Sequence, residues 1–398
     1  MIPVSEAYNI VLSNTSQYGS EDVDLKEAIG RVLATDLIAD RPFPPFDRIT
    51  MDGIAISYES YANKQREFEI EAIAPAGSPQ ASLQSNINCI EVMTGAVLPK
   101  GTDTVIRYED LEIIDGSAII NNIVKQGQNV HNIGSDHEEN SILLSKGHTI
   151  KAIDINVLAT VGMDTVTVTK RPNIAIVSSG DELVPVDSTP LPHQIRMSNV
   201  HMIKARLKEL GVVADHFHIQ DDETEIINTL KELIRKYDVI LMSGGVSKGK
   251  FDFIPDALAA LGVESLFHKV AQRPGKPLWF GKNENITVFA FPGNPVSTLA
   301  CFHKYFVPWL AKSLGESYKA PSVIIKSDTS FKPNLTFFAQ AKIEFEEGRI
   351  FAEISKGNGS GDMVHTTMMD GFVELPSGKD VYKAGEVYSF LPFYAIIK

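Results

Sequence analysis

Two glycine-rich loops, each placed directly after a short apolar run, constrain the fold of this 398-residue chain more than any other feature. The first loop, residues 243–249, follows an apolar run that ends at Met242. The second, residues 292–297, follows a run that ends at Phe291. Open α/β sheets hold anionic ligands at strand ends followed by glycine, because several backbone N–H groups can then approach one phosphate. The pattern predicts an anion-binding enzyme.

Length and charge set the outer limits of that prediction. A chain of this length is expected to form about two to four domains. The formal net charge of −13 argues against general nucleic-acid binding, so an anionic ligand needs a local basic cluster. No apolar run approaches the roughly 20 residues of a membrane helix, which predicts no membrane association. The scarcity of cysteine, with only two residues, favours a reducing cytoplasm.

The middle of the chain, residues 171–315, alternates short apolar runs with helical spacing. This order predicts a doubly wound, mostly parallel sheet with helices on both faces. The predicted strands are 173–178, 212–219, 238–242 and 287–291, and the predicted helices are 200–210, 223–236, 254–261 and 296–314. Asn294 suits the N-cap of the last helix and Pro295 its first position.

The two ends of the chain have a different pattern of apolar residues, which predicts more strand than helix. Residues 318–398 contain regularly spaced strand patterns with a hairpin turn at 346–349, which predicts a small barrel or sandwich. Residues 1–170 are less regular and predict two interleaved subdomains, with a β-rich unit inserted at about 50–135. Helices are predicted at 4–14 and 25–34, and strands at 68–74, 88–92 and 103–108.

Carboxylates follow several of the predicted strands. Asp181 and Glu182 come after the first strand of the α/β region, where a polar surface turn is the simpler interpretation. Asp252 follows the first glycine loop, so it either holds a cation such as Mg²⁺ or caps the next helix. Asp221 has the same two interpretations.

A basic cluster lies between the two glycine loops. Lys269, Arg273 and Lys276 fall within eight residues, and if residues 267–273 form a strand, the first two cations share one face. Such a cluster supplies the local positive field that an anion needs in an acidic protein. A solvated surface is the alternative.

Motifs of the N-terminal part favour structural interpretations when each is taken alone. Met51-Asp52-Gly53 and Met93-Thr94-Gly95 are typical of turns. The group of His131, Asp136, His137 and Glu138 lacks metal-ligand spacing, so a polar loop is favoured over a zinc site. The chain has no Walker loop, dinucleotide fingerprint or Ser/His/Asp constellation.

Taken together, the motifs resemble the MoeA family of molybdopterin molybdenumtransferases, whose eukaryotic relative is the gephyrin E domain. The resemblance runs almost end to end. Its motifs are Phe46-Asp47 with Met51-Asp52-Gly53, Met93-Thr94-Gly95-Ala96, Gly134-Ser135-Asp136, Ser178-Ser179-Gly180-Asp181-Glu182, Ser198-Asn199, Ser243-Gly244-Gly245, Arg273-Pro274-Gly275-Lys276-Pro277 and Pro292-Gly293-Asn294-Pro295.

The resemblance implies a reaction and a fold. Members insert molybdenum from molybdate into adenylylated molybdopterin and release AMP, with Mg²⁺ assisting. They are elongated homodimers supplied by an upstream adenylyltransferase. Their central α/β domain is MogA-like, their N-terminal domains are rich in β-structure, and their C-terminal domain is a small β-barrel. The active cleft forms between the α/β domain of one subunit and an N-terminal domain of the other.

The resemblance also implies site residues. The implied catalytic residues are Asp52, Thr94, Glu182, Asp252, Lys269 and Arg273. The implied substrate- and phosphate-binding residues are Asp136, Ser179, Gly180, Gly244, Gly245, Ser247, Gly249, Lys276, Pro292, Gly293, Asn294, Ser297 and Ser360. The implied Mg²⁺ ligands are Glu182, Asp221 and Asp252.

Three positions depart from the family pattern. A barrel arginine that the family often has is missing from the stretch Phe337–Gln340. Arg48 stands near Met51-Asp52-Gly53 where small polar residues are common, and Arg273 replaces a usual lysine. These changes leave open a different metal, including tungstate, or an altered activity.

Two other functions stay open on the sequence alone. An adenylyltransferase or a nucleotide pyrophosphatase on the same α/β fold would explain the middle of the chain, but not the matches at Asp52 and Thr94. A non-catalytic scaffold of the gephyrin type would predict a long exposed apolar or aromatic groove in the last domain.

Overall fold

The computed structural model describes residues 1–245 and 253–394, and the chain divides into two compact units. The first unit consists of Met1–Asp22, Gly30–Val32 and Thr167–Lys398, and the second of Val23–Ile29 and Leu33–Val166. The finer boundaries expected from the sequence, near residues 170 and 315, stay predictions.

The first unit contains a six-stranded sheet that positions both glycine loops. Four neighbouring strands run parallel, and the last two strands of the sheet are antiparallel to their neighbours along the edge. In spatial order the strands are Ala214–Ile219, Ile174–Ser179, Val239–Ser243, Thr287–Phe291, Trp279–Lys282 and Glu264–His268.

Helices cover both faces of this sheet because its central strands are buried on both sides. Ile174 and Ile176 belong to a core that includes residues of the helix Asn199–Glu209, whereas Ala175 and Val177 face the opposite core with the helix Glu223–Lys236. Alternate residues of a strand point to opposite faces, so such a strand reads as one continuous apolar run. The predicted mostly parallel, doubly wound α/β fold is confirmed.

The long helix predicted at 296–314 is present but is wound in three parts. It consists of an α-helix over Pro295–Cys301, a π-helical segment over Phe302–Phe306 and an α-helix over Val307–Ser313. Asn294 occupies the N-cap and Pro295 the first turn, as expected, although the Asn294 side chain makes no cap hydrogen bond. The π-helical segment ends two residues before Pro308, whose missing N–H cannot continue an ordinary α-helical ladder.

The conditional expectation of a strand over 267–273 is wrong. The strand Glu264–His268 ends before Lys269, whose φ of +75° lies in the left-handed region and breaks the extended backbone. Gln272–Arg273 forms a separate short strand in another sheet, paired in parallel with Thr336–Phe337. Lys269 and Arg273 therefore do not share the face of one strand.

The C-terminal part of the first unit is a closed five-stranded barrel. Its strands are Thr336–Glu346, Arg349–Ile354, Ser322–Ile325, Val387–Pro392 and Gly371–Leu375, and the last pairs again with the first. Glu347 and Gly348 both have positive φ in the hairpin turn, where Glu346 pairs with Arg349 as expected. The predicted small β-barrel is confirmed.

The second unit is built on another six-stranded sheet. In spatial order its strands are Thr104–Arg107, Gly53–Ile56, Asn88–Val92, Glu67–Ala74, Ser117–Ile120 and Leu111–Ile114. The helix expected at 25–34 is wrong. Only a single 3₁₀ turn, Leu25–Glu27, forms there, because Gly30 takes a φ of +71° that no continuing helix allows.

The remaining elements are short, apart from two helices. The other helices are Val4–Ser13, Tyr58–Ala62, Tyr108–Asp110, Ala152–Thr160, Ile254–Ala260 and Met363–Thr366. The other strands are Ser20–Asp24, Leu37–Ile38, Arg48–Ile49, Val130–His131, Ile142–Leu144, Thr165–Thr169, Leu183–Val184, Ile195–Arg196, Thr329–Ser330 and Val381–Tyr382. Within the described residues, no helix has the length and apolar character needed to cross a membrane.

Candidate functional site

A cavity of about 360 Å³ lies where the parallel strands of the first unit end, and we call it the strand-end cavity. Three neighbouring strands, Ile174–Ser179, Val239–Ser243 and Thr287–Phe291, deliver their carboxyl ends to it. Open α/β sheets bind ligands at this edge. The predicted site residues that line it are Ser179, Glu182, Gly244, Pro292, Gly293, Asn294 and Ser297.

The first glycine loop passes so close to its neighbours that a side chain would not fit. A methyl group on Gly244 would lie 2.9 Å from the backbone oxygen of Ser179, and the φ of Gly244 is +101°. One on Gly245 would lie 2.1 Å from Ile254 Cδ1. Gly180 and Gly245 flank lining residues in sequence but do not line the cavity themselves. The bare backbone at Gly244 leaves the cavity wall open to a ligand.

Asn199, which the site prediction omitted, joins the two glycine loops. Its Nδ2 atom lies 2.8 Å from Ser243 Oγ, directly before the first loop, and 2.8 Å from the backbone oxygen of Gly293 in the second. Thr298 Oγ1 is a third neighbour at 3.3 Å. The Asn199 side chain therefore fixes the two loops relative to each other at the edge of the sheet.

Two polar atoms at this cavity have no hydrogen-bond partner among the described residues. They are Ser179 Oγ and Asn199 Oδ1, both inaccessible to solvent. Buried polar atoms in native proteins are nearly always satisfied, so each of these needs a partner from a ligand, from water or from outside the described ranges. Two residues of the cavity lining therefore each have one buried polar atom without a described partner.

Of the predicted Mg²⁺ ligands, Glu182 alone lines the strand-end cavity within residues 1–245 and 253–394. Its carboxylate oxygens are of the kind that Mg²⁺ prefers. Asp221 lies away from the lining, where its backbone N–H donates to Asp181 Oδ1 at 3.1 Å. Asp222 caps the helix Glu223–Lys236 by accepting from the Glu225 N–H.

Three predicted residues, Ser247, Gly249 and Asp252, lie outside the described residues. Within the described ranges, no group of three or more His, Cys, Asp or Glu side chains is placed to hold a metal ion. A metal at the strand-end cavity would therefore draw on Glu182 together with ligands from the substrate or from the undescribed segment.

A second cavity, of about 540 Å³, adjoins the first, and we call it the basic cavity. Pro277, Asn294 and Ser297 line both cavities. Arg273 lies on the short strand that pairs with the barrel, and it lines this cavity together with Lys276 and the barrel residue Lys356. No described Asp or Glu is among its lining residues. In a protein of net charge −13, this concentration of positive charge suits an anion.

A buried glutamine holds the loop that carries Arg273 and Lys276. Gln272 Nε2 lies 3.2 Å from the backbone oxygens of both Pro274 and Gly275, and its Oε1 accepts a hydrogen bond from the Tyr305 hydroxyl. A methyl group on Gly275 would lie 2.6 Å from Cys301 Sγ and 2.7 Å from Gln272 Nε2. The two cations therefore project from a tightly packed loop.

Ser360, a predicted site residue, fastens a barrel loop to the second glycine loop. Asn294 Nδ2 donates to Ser360 Oγ at 2.8 Å, and the Val296 N–H donates to the Ser360 backbone oxygen at 3.0 Å. Both hydrogen bonds lie in the lining of the basic cavity. The predicted residues Asn294, Ser297 and Ser360 are thus brought together.

The barrel wall of the basic cavity is aromatic and amide-bearing at the position of the missing arginine. Phe331 and Phe337 stack with ring centroids 4.4 Å apart. Gln340 lines the cavity and accepts a hydrogen bond from the Thr366 hydroxyl at 2.9 Å, while Ala339 faces the barrel interior. Lys356, which the sequence interpretation did not single out, is the barrel cation of this wall.

Lys269 does not join the other predicted cations. It lies in the turn after Glu264–His268, and it lines neither cavity. Its backbone N–H donates to the Leu278 oxygen at 2.9 Å, and its backbone oxygen accepts from the Ile2 N–H at 3.1 Å. Its proposed catalytic role stays a prediction.

Asp52 and Thr94, predicted on the second unit, are in direct contact. Asp52 Oδ1 accepts hydrogen bonds from the Thr94 backbone N–H at 2.6 Å and from the Thr94 hydroxyl at 2.7 Å. The backbone hydrogen bond and then the hydroxyl hydrogen bond lower the pKa of Asp52 below its ordinary value, because both favour the charged carboxylate. Asp52 is therefore held as an exposed anion.

Asp136, on the same unit, is part of a relay that begins at Arg48. Arg48 Nη2 donates to His131 Nδ1 at 3.0 Å, and His131 Nε2 donates to Asp136 Oδ1 at 2.9 Å. A guanidinium only donates, so Nδ1 must accept and the ring proton lies on Nε2. The unusual Arg48 noted in the sequence thus orients His131 toward Asp136.

Both family comparisons agree with this architecture. Residues 2–162 match the MoeA N-terminal region, domains I and II, and residues 175–312 match a probable molybdopterin binding domain. The chain is 36% identical over 99% of its length to the whole of a molybdopterin molybdenumtransferase from Synechocystis. It is 30% identical over 97% of its length to 94% of an enzyme of the same name from Staphylococcus epidermidis.

Solved structures give the same result. Two structures of a molybdopterin biosynthesis MoeA protein from Pyrococcus horikoshii superpose with TM-scores of 0.86 and 0.83, each at 27% identity. The first covers 99% of this chain and 100% of that structure, and the second covers 98% and 99%.

The fold defines a multidomain protein with a central α/β sheet, a β-barrel and a cavity where the parallel strands end. The full-length matches make the assignment specific. The chain belongs to the MoeA family of molybdopterin molybdenumtransferases.

Proposed function

We propose that this chain acts in molybdenum cofactor biosynthesis by inserting molybdenum from molybdate into adenylylated molybdopterin. Two Mo–S bonds to the dithiolene sulfurs replace two Mo–O bonds of molybdate, and the displaced oxygens leave as water with protons from the thiols and the solvent. One water molecule hydrolyses the phosphoanhydride bond, and AMP leaves. The names of the full-length relatives support the transfer of molybdenum to molybdopterin. The observation that carries the proposal is the pair of adjoining cavities, one basic and one at the strand ends.

The two cavities suit the two substrates. Molybdate is a dianion, and the basic cavity offers Arg273 and Lys276 with no described carboxylate in its lining. The phosphates of the pterin nucleotide suit the strand-end cavity, where the glycine backbones at Gly244 and Gly293 line the wall. Because the cavities share Asn294 and Ser297, the bound substrates would be neighbours.

The residues of this chain would lower the cost of bringing two anions together. Arg273 and Lys276 would donate charge-assisted hydrogen bonds to molybdate oxygens, and fixed cations need no rearrangement as the reactants approach. Gln272 keeps both cations in place by binding the backbone between them. Holding the reactants in line converts an encounter into a reaction within one complex.

Mg²⁺ is the cofactor that we propose. Glu182 would hold it at the strand-end cavity, and Asp221 and Asp252 stay predicted ligands. When bound, Mg²⁺ supplies positive charge against the substrate phosphates.

We further propose a cytoplasmic homodimer that receives its substrate from an upstream adenylyltransferase, with no nucleic-acid or membrane partner. The roles of Asp52, Thr94 and Asp136 belong to this proposal. Light scattering of the purified protein tests the dimer, since an active monomer would contradict it.

The decisive experiment is turnover of adenylylated molybdopterin by the purified chain. We expect AMP release that depends on molybdate, together with molybdenum in the pterin product. The variant Arg273→Gln with Lys276→Gln should lose this activity, whereas Lys342→Gln, on an exposed barrel strand outside both cavities, should retain it. AMP release at the same rate without molybdate would overturn the proposal and indicate a hydrolase.

A further inference from the structure

Lys356 contributes a third cation to the basic cavity, from a part of the chain 80 residues beyond Lys276. It follows the barrel strand Arg349–Ile354, whereas the other two precede the strand Trp279–Lys282. In the described part of the chain, none of the three side chains has a hydrogen bond or an ion pair with a carboxylate.

Three other lysines of the barrel domain are already neutralised, whereas Lys356 is not paired within the described residues. Lys326 pairs with Glu344 and Glu346, Lys379 pairs with Glu386, and Lys383 pairs with Asp328. A lysine that is already paired with a carboxylate adds little electrostatic attraction for an anionic ligand. The charge of Lys356 is available to the cavity.

The backbone at Lys356 is fixed by its neighbour. The Ser355 N–H donates to the Gln340 backbone oxygen at 3.0 Å, which extends the pairing of Arg349–Ile354 with Thr336–Glu346 by one step. Gln340 is itself buried and bound to Thr366. Ser355, Gln340 and Lys356 all line the basic cavity. The lysine therefore extends from an ordered strand end beside that wall.

We infer that Lys356 is a specificity-determining residue that makes the basic cavity prefer a doubly charged oxyanion to a singly charged one. The inference rests on the proposed function. The two cations Arg273 and Lys276 match the charge of a dianion, and a third cation adds attraction that grows with the charge of the ligand. Removing Lys356 should therefore weaken binding of a dianion more than binding of a monoanion.

Calorimetric titration of four proteins tests the inference: wild type, Lys356→Gln, Lys356→Arg and Lys342→Gln. The ligands are molybdate, perrhenate as a singly charged tetrahedral oxyanion, and AMP as a source of phosphate. We expect Lys356→Gln to weaken molybdate binding about tenfold, as loss of one charge-assisted hydrogen bond implies, and perrhenate binding by less. Lys356→Arg should retain most of the affinity, and Lys342→Gln should match the wild type.

The possible failures can be told apart. A wild-type protein that binds no molybdate would count against the proposed function itself. A wild type that binds molybdate, with Lys356→Gln equal to Lys342→Gln, would overturn only the role of Lys356. Equal losses for molybdate and perrhenate would remove the preference for the dianion. A loss confined to AMP would assign Lys356 to the phosphate of the nucleotide instead.

Discussion

The side-chain amide of Asn199 donates a hydrogen bond to the backbone oxygen of Gly293, with 2.8 Å between the two atoms. The same Nδ2 atom lies 2.8 Å from Ser243 Oγ. A carbonyl oxygen only accepts, so this contact fixes which end of the amide faces the loops. One side chain therefore sets the distance between the two glycine loops, and the shape of the strand-end cavity depends on it.

Asn199→Ala should loosen this edge of the sheet. The Gly293 oxygen loses its side-chain donor, so we expect the free energy of unfolding to fall by about 1–3 kcal/mol. We expect molybdate-dependent AMP release to fall further than the loss of stability explains. Denaturant unfolding and turnover measure the two effects. The control is Asn14→Ala, which removes a side-chain hydrogen bond of 2.8 Å to the Ile10 oxygen and lies outside both cavity linings. Equal activity in the two variants would contradict the positioning role.

Gly275→Ala should disrupt the loop that carries Arg273 and Lys276. The added methyl group would meet Cys301 Sγ at 2.6 Å, in addition to the strain of a φ of +91°. The control is Gly378→Ala, whose φ of +95° imposes similar strain with no atom within 4 Å of the added methyl. We expect Gly378→Ala to lower the free energy of unfolding by about 1 kcal/mol, which is the cost of an alanine in the left-handed region. We expect Gly275→Ala to lower it by clearly more and also to weaken molybdate binding. Equal midpoints of thermal unfolding for the two variants would show that the loop accommodates the added methyl group, which would contradict the prediction.

Thr94→Val should raise the pKa of Asp52. The substitution removes the hydroxyl hydrogen bond but keeps the backbone N–H, which is the larger cause of the lowered pKa. We therefore expect the pKa of Asp52 to rise part of the way toward its ordinary value. Carboxyl carbon chemical shifts followed by NMR across an acid titration give the result. An unchanged pKa would mean that the backbone hydrogen bond alone holds the carboxylate.

Acid should destabilise the first unit through His303. Burial, with a smaller contribution from Arg206, lowers the pKa of His303 from 6.5 to about 3. Between those values the unfolded chain binds a proton that the folded chain does not, so the free energy of unfolding falls as pH drops from 6.5 toward 3. The loss contributed by this one group amounts to a few kcal/mol at most, at about 1.4 kcal/mol per pH unit.

His303→Gln should flatten that dependence, because glutamine does not titrate. The measurement is the slope of unfolding free energy against pH from 6.5 to 4, so a constant offset at neutral pH does not affect it. The control is His193→Gln, since His193 is exposed in a loop. A slope identical in His303→Gln and the wild type would show that the buried ring gains its proton without cost.

The sequence was most informative where one local signal fixed an element. The helix Glu223–Lys236 lies at the predicted bounds because its apolar period is regular and Asp222 caps it. The turn at Glu347 and Gly348 was predictable from a glycine between two alternating runs. The parallel sheet was predictable because its strands are buried on both faces and are separated by helices.

Local signals failed where a backbone conformation depends on distant partners. Residues 25–34 have helical spacing, yet Gly30 turns the chain and the Leu33 N–H pairs with the His148 oxygen instead. At Lys269 the alternating pattern suggests a strand, but Ile2 and Leu278 bind its backbone and hold a turn. His148 lies more than a hundred residues from Leu33, and Ile2 more than two hundred from Lys269, so no window of local residues contains the information.

The site residues that the sequence did not predict also depend on distant parts of the chain. Glycine loops and clustered cations are visible in the sequence, and the structure gathers Glu182, Arg273, Lys276 and Ser297 in adjoining cavities. Lys356 is remote from that cluster, and only barrel closure brings it to the same cavity. Asn199 was visible as part of a motif, but its contacts with Ser243 and Gly293 required the folded sheet.

The pairing of Gln272–Arg273 with Thr336–Phe337 makes the barrel part of the framework of the basic cavity. Arg273 sits on a strand that belongs to the barrel sheet, yet three residues later Lys276 leads into the α/β sheet at Trp279–Lys282. A truncation before residue 320 would delete Lys356, and it would also remove the strand that pairs with Arg273. An isolated α/β fragment would lack part of the lining of the basic cavity, so binding constants measured on it would not apply to the full chain.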